Sequence, residues 1–253
     1  MTNVYWFEQT EADVPFENDW LAECETAQLK RLQFLKRRTE WRLGRWTAKR
    51  AVAMYLGQFE CREAFTRIKV VSSASGAPTV STDDPRTNLS ISLTHSSGKA
   101  MCAIAPSVVA LGCDLEIIEV RCDAFATDYF TAEEQALIAR SSTAERARLV
   151  TLLWSAKESA LKALHEGLRI DTRSLVVSLL PCSSTVAWHP LKVSSRNEAV
   201  FDGWWQEQDR FVLTLVSTPP PSLPIRLHPE NSIAGPLIRT GTDSSLSGPV
   251  SNH

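Results

Sequence analysis

The sequence predicts an α+β protein made of two related halves. Short runs rich in β-branched and aromatic residues alternate with long segments of helical periodicity. The order of strand, helices and strands occurs about twice, over residues 1–110 and 111–216. The last stretch, 217–253, is rich in Pro, Ser, Thr and Gly and poor in large apolar residues, so we expect it to be mostly disordered.

The first half opens with a strand and continues with two helices. The run Val4 to Phe7 has the residue types of a strand, and Gly57 is well suited to end a helix. The predicted elements are a strand at 3–7, helices at about 20–36 and 39–56, a strand at 67–72 and a turn-rich connection at 75–88.

Three strands are expected in the middle of the chain. LSISLTH (89–95) alternates strictly between apolar and polar residues, and AMCAIA (100–105) and VVALGCDLEII (108–118) follow after short turns. Because strands joined by short turns usually pair in sequence, the three segments predict an antiparallel meander.

The second half repeats the pattern of helices followed by strands. Thr131 is placed to cap a helix at 130–140, and two glutamates follow it in the first turn. The remaining predicted elements are a helix at 148–165, which Gly167 would end, and strands at 175–180, 198–205 and 210–216.

The composition excludes some classes of partner. A net charge of −2 over 253 residues gives no general attraction to nucleic acid or to an anionic membrane. No apolar run reaches the length of a transmembrane helix, and the six cysteines include no C-x-x-C pair or zinc-like spacing. We therefore expect a cytoplasmic protein with reduced cysteines, whose charged partners bind at local patches.

Two carboxylates occupy alternate positions in the segment LGCDLE. The period of two along a strand places Gly112, Asp114 and Glu116 on one face. Neighbouring carboxylates repel each other, and a hard divalent cation would satisfy both. A strand end that faces solvent explains the same pattern equally well.

A third carboxylate lies in the helical segment WSAKESALK. Glu158 has Lys157 beside it and Lys162 four residues later, on the same side of the helix. In isolation, an ordinary surface ion pair between Glu158 and Lys162 is the default interpretation.

Positive charge is concentrated in the segment 30–50, which holds nine of the 27 Lys and Arg residues and a single acid, Glu40. This segment is suited to bind phosphates or an acidic protein, or it is simply a solvated helix face. His95 ends a strand before a Ser-Ser-Gly turn whose amides suit a phosphate oxygen, although a lone histidine is more often structural. With no P-loop and no nucleophilic triad, phosphate chemistry around a metal is the natural hypothesis.

The order of these motifs resembles a known family. SLTHSSGKA, LGCDLE, YFTAEEQ and WSAKESALKALHEGL follow one another as in the 4′-phosphopantetheinyl transferases of the larger, surfactin-synthetase-activating type. The upstream segments EWRLGRWTAKRAVAMYLG and SGAP are also similar, so the resemblance covers roughly residues 5–216. It implies a monomer with two halves in a pseudo-two-fold arrangement, and it implies coenzyme A and Mg²⁺ between them.

The resemblance also implies a reaction and roles for residues. Such enzymes transfer phosphopantetheine from coenzyme A to a serine of an acyl or peptidyl carrier protein and release 3′,5′-ADP. Asp114, Glu116 and Glu158 would hold Mg²⁺, with Glu158 also a base toward the serine. Lys162, with Lys157 as the second choice, would contact the pyrophosphate or stabilise the leaving group. His95, with Thr94 beside it, would contact the 3′-phosphate of coenzyme A, and Glu134 would have a supporting role. Further basic contacts would come from Arg38, Arg45, Lys30 or Arg31.

The sequence departs from the family at two basic positions. Ala77 stands where Gly-Lys-Pro is common, and Gln28 stands where a basic residue is common. The predicted function is therefore transfer of phosphopantetheine, with reduced affinity for the 3′-phosphate an open possibility. The alternatives are a Mg²⁺-dependent phosphoesterase or nucleotidyltransferase with the same acids, and a non-catalytic module that binds coenzyme A.

Overall fold

The computed structural model describes residues 1–58, 62–84, 87–165, 169–181, 187–195 and 199–229. The first half contains β1 (Tyr5–Thr10), α1 (Glu23–Arg31), α2 (Leu35–Leu56), α3 (Arg62–Arg67), β2 (Lys69–Ser72), β3 (Pro78–Ser81), β4 (Leu89–Ser96) and β5 (Lys99–Pro106). The second half contains β6 (Ala110–Ile117), α4 (Asp123–Tyr129), α5 (Ala132–Arg140), α6 (Thr143–Leu164), β7 (Leu175–Leu179), β8 (His189–Ser195), β9 (Val200–Gln208) and β10 (Phe211–Thr218). A short strand, β11 (Ile225–Arg226), follows. The predicted α+β class is confirmed.

The two halves have the same strand order. In the second half one sheet has the order β6-β10-β9-β8-β7. In the first half β1-β5-β4 form one sheet, and the separate pair β2-β3 lies beside β4 through β3. Each half also has one helix of 22 residues, α2 or α6, packed on its sheet. This repetition supports the two-half organisation, while the exact boundary near residue 110 stays a prediction.

A buried lysine–glutamate pair recurs at the equivalent place in each half. Glu25 of α1 forms an ion pair with Lys49 of α2 at 2.5 Å, and Glu134 of α5 forms one with Lys157 of α6 at 2.7 Å. Each glutamate also accepts a hydrogen bond from the backbone amide just before its own helix. It accepts another from the first strand after the long helix, from the amide of Val70 in one half and of Val177 in the other. Such buried charges are tolerated because every one is paired and hydrogen-bonded. The repeat therefore extends from topology to individual contacts.

The core lies in three layers. One apolar cluster joins α2 to the first sheet, and a second joins α6 to the second sheet. The third lies between the sheets and includes Trp6 of β1, Met101 of β5, Leu115 of β6 and Leu213 of β10, all nearly inaccessible to solvent. Removal of this apolar surface from water holds the two halves together. No helix in the described part of the chain is long and apolar enough to cross a membrane.

The expected meander is wrong at its third strand. β4 and β5 pair antiparallel, but the backbone partner of β6 is β10, with Asp114 opposite Thr214. β6 still contacts β4, but through a side chain: the Ser92 hydroxyl accepts a hydrogen bond from the backbone amide of Cys113 at 2.9 Å. The strand is buried on both faces, so its partner is decided by long-range packing and not by the short turn before it.

The expected disorder of 217–253 is wrong for its first residues. β11 runs parallel to β1, with Ile225 opposite Tyr5, and Leu227 is buried in the first core cluster. This segment gains its order from the free edge of β1, which offers unpaired backbone groups. Residues 230–253 lie outside the described residues, as does Gly167.

The ends of three helices differ from expectation. α1 ends at Arg31, because Leu32 takes an extended conformation, and α2 begins at Leu35. α6 begins at Thr143, capped by the Ser142 hydroxyl, and His165 in the left-handed conformation follows its last residue. Short or edge elements such as β3, β8, β11 and α4 were not expected at all.

Candidate active site

A close approach of β6 and α6 brings the acidic residues together. A Cβ added to Gly112 would lie 1.8 Å from the carbonyl oxygen of Ser159, so only glycine permits this packing. The hydroxyls of Ser155 and Ser159, one turn apart in α6, hydrogen-bond to the hydroxyl of Thr214 of β10 at 2.9 and 2.6 Å. The polar face of β6 therefore meets the face of α6 that carries Glu158 and Lys162.

Asp114 is the centre of the cluster. The residue is only 4% exposed, and its Oδ1 accepts hydrogen bonds from Thr94 Oγ1 at 3.0 Å and from Lys162 Nζ at 2.6 Å. Lys162 also donates to the carbonyl of Cys113 at 3.1 Å. The second oxygen, Oδ2, is buried and has no hydrogen-bond partner among the described residues. Asp114 is thus fixed through one oxygen and has the other free for a ligand.

Lys162 is held charged by its neighbours. Burial alone would lower the pKa of its ammonium, but attraction to Asp114 and Glu158 raises the pKa above its ordinary value. At neutral pH the site therefore keeps one fixed positive charge next to its carboxylates.

Glu116 lies on the same face of β6 and is held by two donors. Trp154 Nε1 donates to its Oε1 at 3.3 Å, and Arg121 Nη2 donates to its Oε2 at 3.4 Å. Burial, and then repulsion from Asp114, raise the pKa of Glu116 to about 7. Its charge is therefore unfavourable in this structure despite the two donors.

Glu158 of α6 completes the set of three acids. It is half-buried, and burial followed by repulsion from Asp114 raises the pKa of its carboxyl. The structure therefore brings Asp114, Glu116, Glu158 and Lys162 to one electrostatically coupled region, as the sequence predicted.

The donor set can be compared with the needs of a hard divalent cation. Carboxylate oxygens are the ligands that such a cation prefers, and the free Oδ2 of Asp114 offers one. The raised pKa values of Glu116 and Glu158 indicate unbalanced negative charge, which a cation would relieve. In the part of the chain that is described, however, no three His, Cys, Asp or Glu groups already form a shell for a metal ion. The residues fit a cation that takes only some of its ligands from the protein.

Two cavities lie on the side of the first half, and one of them is lined by Lys162 of the cluster. One, of about 240 Å³, is lined by Ser92 of β4, Lys162 and the turn Gly76–Pro78. Another, of about 500 Å³, is lined by His95, Trp41 and Arg37. Desolvation and the charge of Lys162 lower the pKa of His95, against the opposing effects of Glu40 and Asp114. Thr94 therefore faces Asp114, whereas His95, the next residue of β4, points to the opposite face and lines the cavity beside α2.

The two predicted arginines lie in different cavities. Arg45 is buried, stacks on Trp41 at 5.0 Å and lines a cavity of about 430 Å³ together with Gln28 and Ser72. Its Nε has no hydrogen-bond partner among the described residues. Arg38 lines a separate cavity with Asn18 and Arg42, where no other predicted site residue lies. The structure brings Arg45 near the His95 region through their shared neighbour Trp41, and it does not bring Arg38 there.

The prediction that Lys157 contacts coenzyme A is wrong in this structure. Its side chain is inaccessible to solvent, pairs with Glu134 and donates to the carbonyls of Thr172 and Leu175 at 2.9 Å. A lysine with all its donors used inside the core cannot reach a ligand in the cleft. Glu134 serves this pair and the cap of α5, so its supporting role is structural.

Two contacts of Glu116 were not foreseen. Trp154 belongs to the segment WSAKESALK, and its position one turn before Glu158 was the available signal. Arg121 lies between β6 and α4 in a stretch without periodicity, so no sequence signal was available for it.

Comparison with known proteins gives one family match. Residues 110–209 match the family model of the 4′-phosphopantetheinyl transferase superfamily. The matched segment covers most of the second half and less than half of the whole chain. Asp114, Glu116, Glu158 and Lys162 all lie inside the matched segment. The match supports the superfamily that the motifs indicated, and the surfactin-synthetase-activating subtype stays a prediction.

Two solved structures are similar to part of the chain. The holo-[acyl-carrier-protein] synthase of Helicobacter pylori, in complex with coenzyme A, is 19% identical over 40% of this chain and 97% of that chain, with a TM-score of 0.34. The synthase of Thermotoga maritima is 21% identical over 42% of this chain and 61% of that chain, with a TM-score of 0.32. No curated protein matches the chain.

Proposed function

We propose that the protein is an enzyme that transfers 4′-phosphopantetheine from coenzyme A to a serine hydroxyl of an acyl or peptidyl carrier protein. The single observation that carries the proposal is the cluster of Asp114, Glu158 and Lys162 at the contact of β6 and α6. This cluster lies within the segment that matches the transferase superfamily.

The first step assigned to the chain's own residues is a proton transfer. Glu158 accepts the proton of the carrier serine, directly or through one water, as the serine oxygen attacks the β-phosphorus of coenzyme A. The raised pKa of Glu158 supports this role, because a carboxylate of higher basicity accepts a proton more readily. The bond from the β-phosphorus to the bridging oxygen breaks, and 3′,5′-ADP leaves with the electron pair.

Lys162 is assigned to the leaving group. Its pKa is raised by Asp114, so its ammonium stays charged throughout the working range of pH. A fixed ammonium beside a pyrophosphate stabilises the negative charge that develops as the bond breaks. Asp114 and Thr94 orient this ammonium through the Oδ1 of Asp114.

A divalent cation, Mg²⁺ in this proposal, would be held by Asp114, Glu116 and Glu158 with the pyrophosphate. When bound, it would neutralise charge on the phosphoryl oxygens. The free Oδ2 of Asp114 and the raised pKa values of the two glutamates support this set of ligands.

Coenzyme A is proposed to lie in the cleft formed by the cavities around the cluster. The turn at Gly76–Pro78 and Lys162 line the cavity nearest to Asp114, and His95 and Arg45 line the two farther along α2. His95 and Arg45 are the proposed contacts of the 3′-phosphate. Ala77 cannot provide the positive charge that a lysine at its position would give the 3′-phosphate. Arg45, whose Nε has no hydrogen-bond partner among the described residues, is proposed to bind more of that phosphate's charge.

The finer features of the enzyme belong to the same proposal. The repeated strand order and the paired long helices support the two-half type, which would act as a cytoplasmic monomer on an acidic carrier domain. The basic segment 30–50 provides positive charge for that domain. A phosphoesterase would use the same acids without a carrier, and a binding module would need only the cavities.

The proposal is tested by the intact mass of an apo carrier protein after incubation with this protein, coenzyme A and MgCl₂. We expect a gain of one phosphopantetheine group together with release of 3′,5′-ADP, and no gain when EDTA is present. Cleavage of coenzyme A without modification of any acyl or peptidyl carrier would favour the phosphoesterase. Binding of coenzyme A without cleavage would favour the binding module.

A further inference from the structure

Arg121 contacts two glutamates at the edge of the proposed metal site. Its Nη2 lies 3.4 Å from Oε2 of Glu116 and also 3.4 Å from Oε1 of Glu119. Its guanidinium carbon is 4.7 Å from the ring centroid of Phe125, so the arginine is stacked as well as paired. One guanidinium is thus shared by a carboxylate of the site and a carboxylate outside it.

The two glutamates differ in their surroundings. The side chain of Glu116 is 23% exposed and faces the cluster, whereas that of Glu119 is 54% exposed and lies toward solvent. Trp154 already holds Oε1 of Glu116, and Arg121 holds Oε2. Both oxygens of Glu116 are therefore engaged by the protein itself.

A divalent cation and this guanidinium compete for the same carboxylate. Each oxygen of Glu116 already accepts one hydrogen bond, from Trp154 or from Arg121, and the positive charge of Arg121 repels a cation that approaches. The alternative partner, Glu119, is within the present reach of the same nitrogen. Loss of the contact with Glu116 would therefore leave Arg121 paired with Glu119 and stacked on Phe125.

We propose that Arg121 is a latch, a positioning residue that holds Glu116 until a divalent cation displaces it onto Glu119. The inference rests on the proposed function, because it requires Glu116 to bind the cation. It assigns to Arg121 and Glu119 opposite effects on metal affinity: Arg121 weakens binding, and Glu119 strengthens it by accepting the displaced guanidinium. Neither residue touches the reacting atoms.

The experiment measures binding of Mn²⁺, as a probe for the divalent cation, by the electron paramagnetic resonance signal of free Mn²⁺ in the presence of coenzyme A. Arg121→Gln should tighten Mn²⁺ binding by about threefold to fivefold, the factor expected from removal of one partly exposed ion pair. Glu119→Gln should weaken it by about twofold to threefold. A merely structural role for Arg121 predicts unchanged or weaker binding in Arg121→Gln, and either result would overturn the latch.

Arg226 provides the matched control. It also stacks on an aromatic ring, that of Trp6 at 5.1 Å, and pairs with a glutamate, Glu8 at 2.9 Å, but it has no contact with the cluster. Arg226→Gln should leave the Mn²⁺ affinity unchanged, and an affinity change equal to that of Arg121→Gln would mean a general charge effect and no latch.

A further variant separates failure of the latch from failure of the proposed metal site. Glu116→Gln should weaken Mn²⁺ binding in the wild-type background, and an unchanged affinity would overturn both proposals. If Glu116→Gln weakens binding while Arg121→Gln leaves it unchanged, the metal site stands and the latch does not.

Discussion

Gly112 of β6 and Ser159 of α6 touch through their backbones. The site for a Cβ on Gly112 lies 1.8 Å from the carbonyl oxygen of Ser159, and the same two elements pair Asp114 with Lys162 at 2.6 Å. The close packing of β6 against α6 at the candidate site therefore requires a residue without a Cβ at position 112.

Gly112→Ala should destabilise the protein and abolish its activity. The methyl group would overlap a backbone atom that no side-chain rotation can move, so we expect a loss of about 3 kcal/mol or more in the free energy of unfolding. Urea unfolding monitored by circular dichroism measures this loss. Gly44→Ala is the control, because its added Cβ would meet side chains and no backbone, with Leu93 at 3.2 Å and His95 at 3.9 Å. A loss for Gly112→Ala as small as that of Gly44→Ala would contradict the close approach.

Lys162→Met should leave Asp114 as a buried charge without its cation. We expect the free energy of unfolding to fall by about 2–4 kcal/mol, because the buried carboxylate of Asp114 then lacks the charge that compensates its desolvation. Asp114→Asn in the same chain should restore part of this loss, because the charge is then removed. If the double variant is as unstable as Lys162→Met, the lysine stabilises the fold by packing and not by charge.

Lys157 should prove to be structural and not a ligand of coenzyme A. Lys157→Met leaves Glu134 buried and unpaired, so we expect a destabilisation of about 3–5 kcal/mol. At a temperature where the variant is folded, calorimetry should give the wild-type affinity for coenzyme A. Lys49→Met, which breaks the equivalent pair in the first half, should have a similar effect on stability. A weakened affinity for coenzyme A in folded Lys157→Met would contradict this prediction and indicate that Lys157 contributes to binding.

Glu116 should make the metal-free protein less stable as the pH rises. Its folded pKa of about 7 lies above the ordinary value of 4.5, so the folded state retains a proton that the unfolded state has lost between these values. The contribution of this group to stability is therefore present below pH 4.5 and is lost as the pH rises to 7. Glu116→Gln should stabilise the protein relative to wild type by roughly 2 kcal/mol at pH 8 and by little at pH 4.5. Chemical unfolding in EDTA at the two values of pH checks this, and an equal difference at both would contradict it.

The fold class and the proximity of the acidic residues could both be predicted from local patterns, whereas the roles of the site residues stay predictions. Strand periodicity placed Asp114 and Glu116 on one face, and helical spacing placed Lys162 one turn after Glu158, because both patterns are local. Which of the two lysines lies at the site could not be predicted from local patterns. Lys157 lies beside Glu158 in sequence, but its burial depends on Glu134, which lies in another helix.

The parts of the fold that were not predicted depend on distant partners. β6 follows β5 after a short turn, yet its backbone pairs with β10, about 100 residues later. The segment that contains β11 is poor in apolar residues and still becomes ordered, because β1 offers a free edge and Leu227 reaches the first core cluster. Composition and periodicity contain no information about such contacts.

The central claim is that Glu158 and its neighbours carry out phosphopantetheinyl transfer. The most direct measurement is the single-turnover rate of carrier modification by Glu158→Gln, with the affinity for coenzyme A measured on the same sample. Glu145→Gln is the control, since Glu145 lies in the first turn of the same helix and is exposed. We predict that Glu158→Gln binds coenzyme A and transfers at least about 100-fold more slowly, the usual contribution of a general base, while Glu145→Gln matches wild type. A wild-type rate of transfer in Glu158→Gln would contradict the account.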